Sequence, residues 1–201
     1  MQSIMRRAIF VSWALIALVT FAIGLPAANA QENLMQQEAH RMLRKGGVVV
    51  LLRHGQTESG IGDPPGFALE NCSTQRNLSA VGRADLRDMA SRLSAAKVSF
   101  ARTFTSLWCR CRETAQLLTA APGVVEDWAP LNSQFAANAV VDSANAQVVA
   151  KIRQIPANKS WLMVTHQVNI TATTGVVPAP GEGVLVQPSG AGIKVLGRVK
   201  L

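Results

Sequence analysis

Val48-Val49-Val50-Leu51-Leu52 is an unbroken run of branched apolar residues, and it constrains the fold more than any other stretch. A strand with one wet face alternates apolar and polar side chains, so an unbroken run implies burial on both faces and hence a parallel or mixed sheet covered on both sides. Trp161-Leu162-Met163-Val164-Thr165 is a second run of this kind, and Arg102-Thr103-Phe104-Thr105 a shorter one. Helical spacing lies between them. Gln31 to Lys45 carries apolar residues at Leu34, Met35, Ala39, Met42 and Leu43 and stops at Gly46-Gly47. Ser79 is a natural N-cap for a helix ending near Ala96, with Leu78, Val81, Leu86, Met89, Ala90 and Leu93 supplying its apolar stripe. Arg112 to Ala120 reads as a helix, Val124 and Val125 as a short strand, and Asn145 to Ile155 as a helix ended by Pro156. Gly183 to Gln187 and Ile193 to Val199 read as a closing hairpin. This alternation predicts an α/β domain, a three-layer sandwich with a mostly parallel central sheet and one antiparallel edge.

Residues 1–30 read as an address rather than as part of the fold. Arg6 and Arg7 precede 18 uncharged residues from Ala8 to Leu25, and Ala28-Asn29-Ala30 supplies the small-x-small pattern of a signal peptidase site. The competing reading, a retained membrane anchor, rests on the length of that run. Cleavage after Ala30 leaves residues 31–201 as one domain of 171 residues with a formal charge of +6 and no second long apolar run. The expected location is periplasmic or secreted, with no stable membrane insertion after cleavage. A basic surface favours anionic partners. Aromatic residues at 5%, with no Tyr, argue against the stacking platforms of a nucleic-acid binder. Of Cys72, Cys109 and Cys111, at most one pair can bridge within the chain. A bridge across a single residue strains the geometry, so Cys72 is expected to pair with Cys109 or Cys111. Without a suitable His spacing the three cysteines make a poor zinc site.

In open α/β sheets ligands sit at the carboxyl ends of strands, where both buried runs deliver a histidine: His54 after the first and His166 after the second. His40, on the first helix, lacks such a setting and is assigned a surface or packing role. The segment Leu52-Arg53-His54-Gly55-Gln56-Thr57-Glu58 resembles the signature of the histidine phosphatase, or phosphoglycerate mutase-like, superfamily. Ser106-x-x-x-Arg110-x-x-x-Thr114-Ala115 is similar to the segment supplying that family's second phosphate-binding Arg, and Val164-Thr165-His166 to the one supplying its second His. Asn77-Leu78-Ser79-x-x-Gly82 resembles the turn that opens the family's first helix.

The resemblance implies that His54 is the nucleophile, that Arg53 and Arg110 hold the phosphate, and that His166 donates to a phosphate oxygen, with no metal or other cofactor. The chemistry agrees, because guanidinium forks match phosphate oxygens and a neutral imidazole can attack phosphorus in line. An exported phosphomonoester phosphatase is therefore expected, acting on a small phosphorylated substrate or an envelope phosphate ester and not on nucleic acid. Length and export signal resemble the branch containing lipopolysaccharide core heptose phosphate phosphatases. A non-enzymatic binder of phosphorylated or polyanionic envelope components is the alternative. Two positions that carry a proton-donating acid in relatives are occupied differently here, by Ser133 after Leu131-Asn132 and by Gln167 after His166. Three accounts stay open: a donor among Glu58, Asp63, Glu70 and Glu126, a leaving group that needs none, or slow turnover. Gln56 to Asn77, long and rich in Gly and Pro, is expected to form one wall of the pocket, pinned by the Cys72 bridge beside Arg110.

Overall fold

The computed structural model describes residues 27–60, 62–119, 125–134 and 138–201. Most of the segment assigned to the export signal, residues 1–26, lies outside them, as does Val124. Among the described residues six strands form a single sheet: β1 Val48–Arg53, β2 Arg102–Thr105, β3 Val125–Asp127, β4 Ser160–Thr165, β5 Gly183–Ser189 and β6 Gly192–Val199. Their order is β3-β2-β4-β1-β5-β6. The first four of that order run parallel, and the β5–β6 hairpin adds antiparallel pairs beyond β1.

Alternation along the strands divides the core in two. Val48, Val50 and Leu52 of β1 and Leu162 and Val164 of β4 point into one layer, where they meet Leu43, Leu86, Met89, Leu93, Ala115 and Leu118. Those residues belong to α1 (Ala27–Lys45), α2 (Ala80–Ala95) and α3 (Cys109–Leu118). Val49 and Leu51 of β1, with Phe104, Trp161 and Met163, point into the other layer, against Val148, Ile152 and Ile170. That second cover comes from α4 (Asn138–Ile152) and α5 (Gln167–Thr174). The three-layer sandwich with an antiparallel edge is thus the observed architecture. His40 is buried on α1, in a packing role. No helix among the described residues is long and apolar enough to cross a membrane.

The helix boundaries differ from the sequence reading in instructive ways. The first helix begins at Ala27, before Gln31. Helix α3 begins at Cys109, not Arg112, because tertiary bonds hold a first turn of modest propensity: the Cys109 amide donates to Gln75 Oε1 at 3.0 Å. Helix α4 starts at Asn138 and ends at Ile152, its β-branched pair Val140-Val141 having hidden the start. Helix α5 was not anticipated, since Gln167-Val-Asn-Ile-Thr-Ala-Thr-Thr is rich in β-branched residues; burial of Asn169 and Ile170 holds it. Ser79 caps α2 as expected, its Oγ accepting from the Gly82 amide at 3.0 Å.

The long loop is fastened at both ends. At its start, the Gln56 carbonyl accepts from the Ser79 amide at 2.9 Å, and a Cβ on Gly82 would lie 2.1 Å from that same oxygen. Near its end, Cys72 is bridged to Cys109, the first residue of α3, and Cys111 is the free, buried thiol.

Gly82→Ala is expected to destabilise the fold by about 1–3 kcal/mol, because the obstructing atoms are backbone and cannot swing aside. Thermal unfolding followed by circular dichroism checks this, and an unchanged midpoint would count against it. The bridge closes a loop across a separation of 37 residues, for which loop-closure entropy gives about 4 kcal/mol. Reduction should accordingly lower the thermal midpoint by several degrees.

Candidate active site

The register of β1 on β4 pairs Arg53 with Thr165, so the residues following each strand emerge side by side at one rim of the sheet. The His54 amide donates to the Thr165 carbonyl at 3.1 Å, and the two imidazole centroids, of His54 and His166, stand 5.4 Å apart at 70°. Strand β2 ends at the same level, since the Ser106 amide donates to the Val164 carbonyl at 3.0 Å. Helix α3 then presents Arg110 and Thr114 one turn apart on one face. All four residues singled out from the sequence, Arg53, His54, Arg110 and His166, line one cleft of about 650 Å³.

The motif residues hold one another. Thr114 Oγ1 accepts from the Gly55 amide at 3.1 Å and donates to the Arg110 carbonyl at 2.7 Å, tying α3 to the loop after β1. Asn132 Oδ1 accepts from the Leu107 amide at 2.9 Å, which fixes its amide orientation, and it lies 3.2 Å from Ser106 Oγ. Ser106 Oγ in turn lies 2.9 Å from His166 Nε2. Gln167 serves Arg53, accepting from its Nη1 at 2.7 Å, and the Pro178 carbonyl accepts from the same nitrogen at 2.9 Å. The two positions where an acid could have stood are thus different in role. Ser133 lines the cleft, while Gln167 orients a guanidinium.

Asp63 occupies the fork of Arg110. Its Oδ1 accepts from Arg110 Nη1 at 2.7 Å and its Oδ2 from Nη2 at 3.2 Å, with the two side chains 9% and 5% exposed. The Arg76 amide donates to Oδ1 and Trp108 Nε1 to Oδ2, each at 3.0 Å. Burial pushes this carboxyl upward, but the Arg110 bond, followed by the Arg76 amide, outweighs it and holds Asp63 below the usual carboxylate range. Arg76 itself lines the cleft and bonds to the Gly60 carbonyl. Sequence reading passed over Arg76 and Trp108. The available signal was their position, since Arg76 directly precedes the Asn77-Leu78-Ser79 turn and Trp108 lies within the Ser106-to-Arg110 spacing.

Crowded cations and burial set the protonation states. Desolvation pushes His54 down to about 3; its backbone bond to Gly55 acts in the opposite sense, and Arg110, Arg53 and Arg76 add to the drop. His166 is held well below its ordinary value by burial, then by His54, Arg110 and Arg53. Arg53 and Arg76 are lowered, first by burial and then by a neighbouring guanidinium. The Nε groups of Arg53, Arg76 and Arg110 are buried without a hydrogen-bond partner among the described residues, so cationic donors outnumber acceptors there. Cys111 lies 3.5 Å from His166 Nε2, and burial pushes its thiol up to about 12. It is a packing residue beneath the site, not a nucleophile.

Residues 49–132, which include Arg53, His54 and Arg110, match the family model of the histidine phosphatase superfamily (branch 1). No curated protein sequence matches the chain. Among solved structures, the protein histidine phosphatase SixA complexed with tungstate is 18% identical at a TM-score of 0.56, covering 75% of this chain and 95% of that one. A putative phosphohistidine phosphatase SixA from Agrobacterium tumefaciens is 16% identical at a TM-score of 0.55, covering 76% and 97%. A phosphoserine phosphatase mutant from Entamoeba histolytica bound to phosphoserine is 15% identical at a TM-score of 0.57, covering 75% and 95%. At these identities the structures speak for the fold, while the matched segment, which carries the motif residues of β1 and α3, is similar to the histidine phosphatase superfamily.

Proposed function

We propose that this protein is an exported phosphomonoester phosphatase working through a phosphohistidine on His54. The observation that carries the proposal is a tautomer. His54 Nδ1 lies 2.8 Å from the Gly55 carbonyl, which can only accept, so Nδ1 bears the proton and Nε2 keeps its lone pair. Burial and the surrounding guanidinium groups keep that ring neutral. A neutral nitrogen nucleophile beside phosphate-binding forks is what in-line attack on a phosphate ester needs.

In the first step, Nε2 of His54 attacks phosphorus and the bond to the ester oxygen breaks. Arg53 and Arg110 bind the transferring oxygens, whose charge spreads in the transition state. His166 is assigned, by the same resemblance, as a donor to that group, and Ser106 Oγ, 2.9 Å from its Nε2, holds the ring in place. Water then attacks the phosphohistidine and returns the electron pair to Nε2. Export is supported by the signal-like residues 1–30 and by the Cys72–Cys109 bridge, a bond that persists in oxidising compartments. The substrate is a phosphomonoester small enough for a cleft of about 650 Å³, or the exposed phosphate of an envelope component.

Hydrolysis of p-nitrophenyl phosphate should be lost in His54→Ala and His166→Ala and should fall by roughly 100-fold or more in Arg110→Ala. Rapid quench with a labelled ester should trap the label on His54. Tight binding of phosphate esters with no turnover would instead mark the protein as a binder of phosphorylated envelope components. Stability carries a second signature. Folding lowers the pKa of His54 from 6.5 to about 3, so between those values the unfolded chain binds the extra proton. Stability is therefore retained above about 6.5 and drops as pH falls through the window. Urea midpoints at pH 7 and pH 4 should show that drop, and His54→Gln, which cannot titrate, should make it smaller.

A further inference from the structure

We propose that Asp63 is the proton donor of this phosphatase, and that as a carboxylate it stands in the place the substrate's phosphoryl group takes on Arg110. The inference rests on the phosphatase reading above and identifies the acid missing from Ser133 and Gln167. Its contacts single out Asp63 among the candidate acids. Of Glu58, Asp63, Glu70 and Glu126, Asp63 alone lines the cleft. Glu58 and Glu70 are exposed, and Glu126 is half-exposed on β3 in an ion pair with Arg102.

A carboxylate offers the Arg110 fork two oxygens in the plane a phosphoryl group would use, so the two anions compete for one guanidinium. The phosphoryl group has the stronger claim, because it also engages Arg53 and His166, which Asp63 does not contact. Asp63 displaced from Arg110 still has two donors, the Arg76 amide and Trp108 Nε1, which keep it beside the bound ester. The backbone ahead of it turns through Gly62 at φ +73°, where an added Cβ would meet no described atom within 4 Å. Without its guanidinium, and next to a second anion in a buried site, a carboxyl group takes up a proton.

Proton and electron accounts close. The proton on Asp63 comes from the ester's monoanion or from solvent. When the His54 Nε2–phosphorus bond forms and the phosphorus–oxygen bond breaks, Asp63 gives that proton to the departing oxygen, and a neutral alcohol leaves. In the second half, the Asp63 carboxylate accepts a proton from the water that attacks the phosphohistidine. The pair of electrons in the nitrogen–phosphorus bond returns to Nε2, phosphate leaves, and Asp63 releases its proton to the departing phosphate or to solvent and rejoins Arg110 as a carboxylate.

Leaving-group dependence tests the proposal. The value of kcat/KM, which reports transfer to His54, is measured for aryl phosphates of graded leaving-group pKa and for glycerol phosphate. The wild-type protein should depend weakly on leaving-group pKa. Asp63→Asn should depend on it steeply, losing roughly 100-fold or more on glycerol phosphate and only a few-fold on p-nitrophenyl phosphate. The same variant should bind inorganic phosphate tighter by roughly tenfold, since the competing charge is gone. A steep dependence in the wild type overturns the proposal without any variant, and so does an equal loss on all esters or a weaker grip on phosphate in Asp63→Asn. The phosphatase reading stands through those outcomes as long as turnover depends on His54; absence of any His54-dependent turnover overturns both.

Discussion

Parallel pairing of β1 with β4 is the constraint on which the site depends. The two strands are buried on both faces, and their register places Arg53 opposite Thr165. A slip of one residue would exchange the side chains of the two core layers, putting Val49 and Leu51 where Val48, Val50 and Leu52 pack. Packing therefore holds the register far more tightly than any polar contact at the rim could. Function inherits that precision, because the next residue of each strand is a histidine. Strand β2, paired to the other edge of β4, adds Ser106 at the same level, and α3 carries Arg110 in from there. Residues separated by more than a hundred positions meet because an apolar core aligns the strands that deliver them.

The rim has an unusual electrostatic composition. Arg53, Arg76 and Arg110 share a cleft with two imidazoles that burial keeps neutral. Imidazolium rings would add two further cations to a desolvated cluster, so burial first, and then the same arginines that make the cleft attractive to anions, enforce the neutral state. Asp63 offsets part of that charge in the free protein. A buried ion pair contributes little net stability once desolvation is counted. What it does accomplish is to keep Arg110 extended and oriented in a site that would otherwise hold only repelling charges.

The fold was readable where residues had to be apolar on both faces, as at Val48 to Leu52 and Trp161 to Thr165, and where a cap or a turn has its own chemistry, as at Ser79 and in the β5–β6 hairpin. It was unreadable where tertiary contacts override local preference. Helix α5 is built from β-branched residues and owes its existence to packing, and the first turn of α3 is held by Gln75 from the long loop. The site divides the same way. Arg53, His54, Arg110 and His166 stood at strand ends or in a spaced motif, so their meeting could be inferred. Asp63 was one acid among four in sequence; its distinction is a set of contacts with Arg110, Arg76 and Trp108 that no spacing encodes. Gln167 was read only as a missing acid, whereas its amide oxygen steadies Arg53.

The two cysteines flanking Arg110 on α3 impose an order of events during oxidation. Successive helical residues advance by about 100°, so Cys109 and Cys111 face nearly opposite sides, one toward the long loop and the other toward His166 in the interior. In an unfolded chain they are almost equivalent suitors for Cys72, separated by a single residue. Only once the first turn of α3 has wound does one of them become inaccessible. Correct crosslinking in this chain is thus a readout of helix formation, and a bridge made too early, to Cys111, would have to be undone before Arg110 could reach its place.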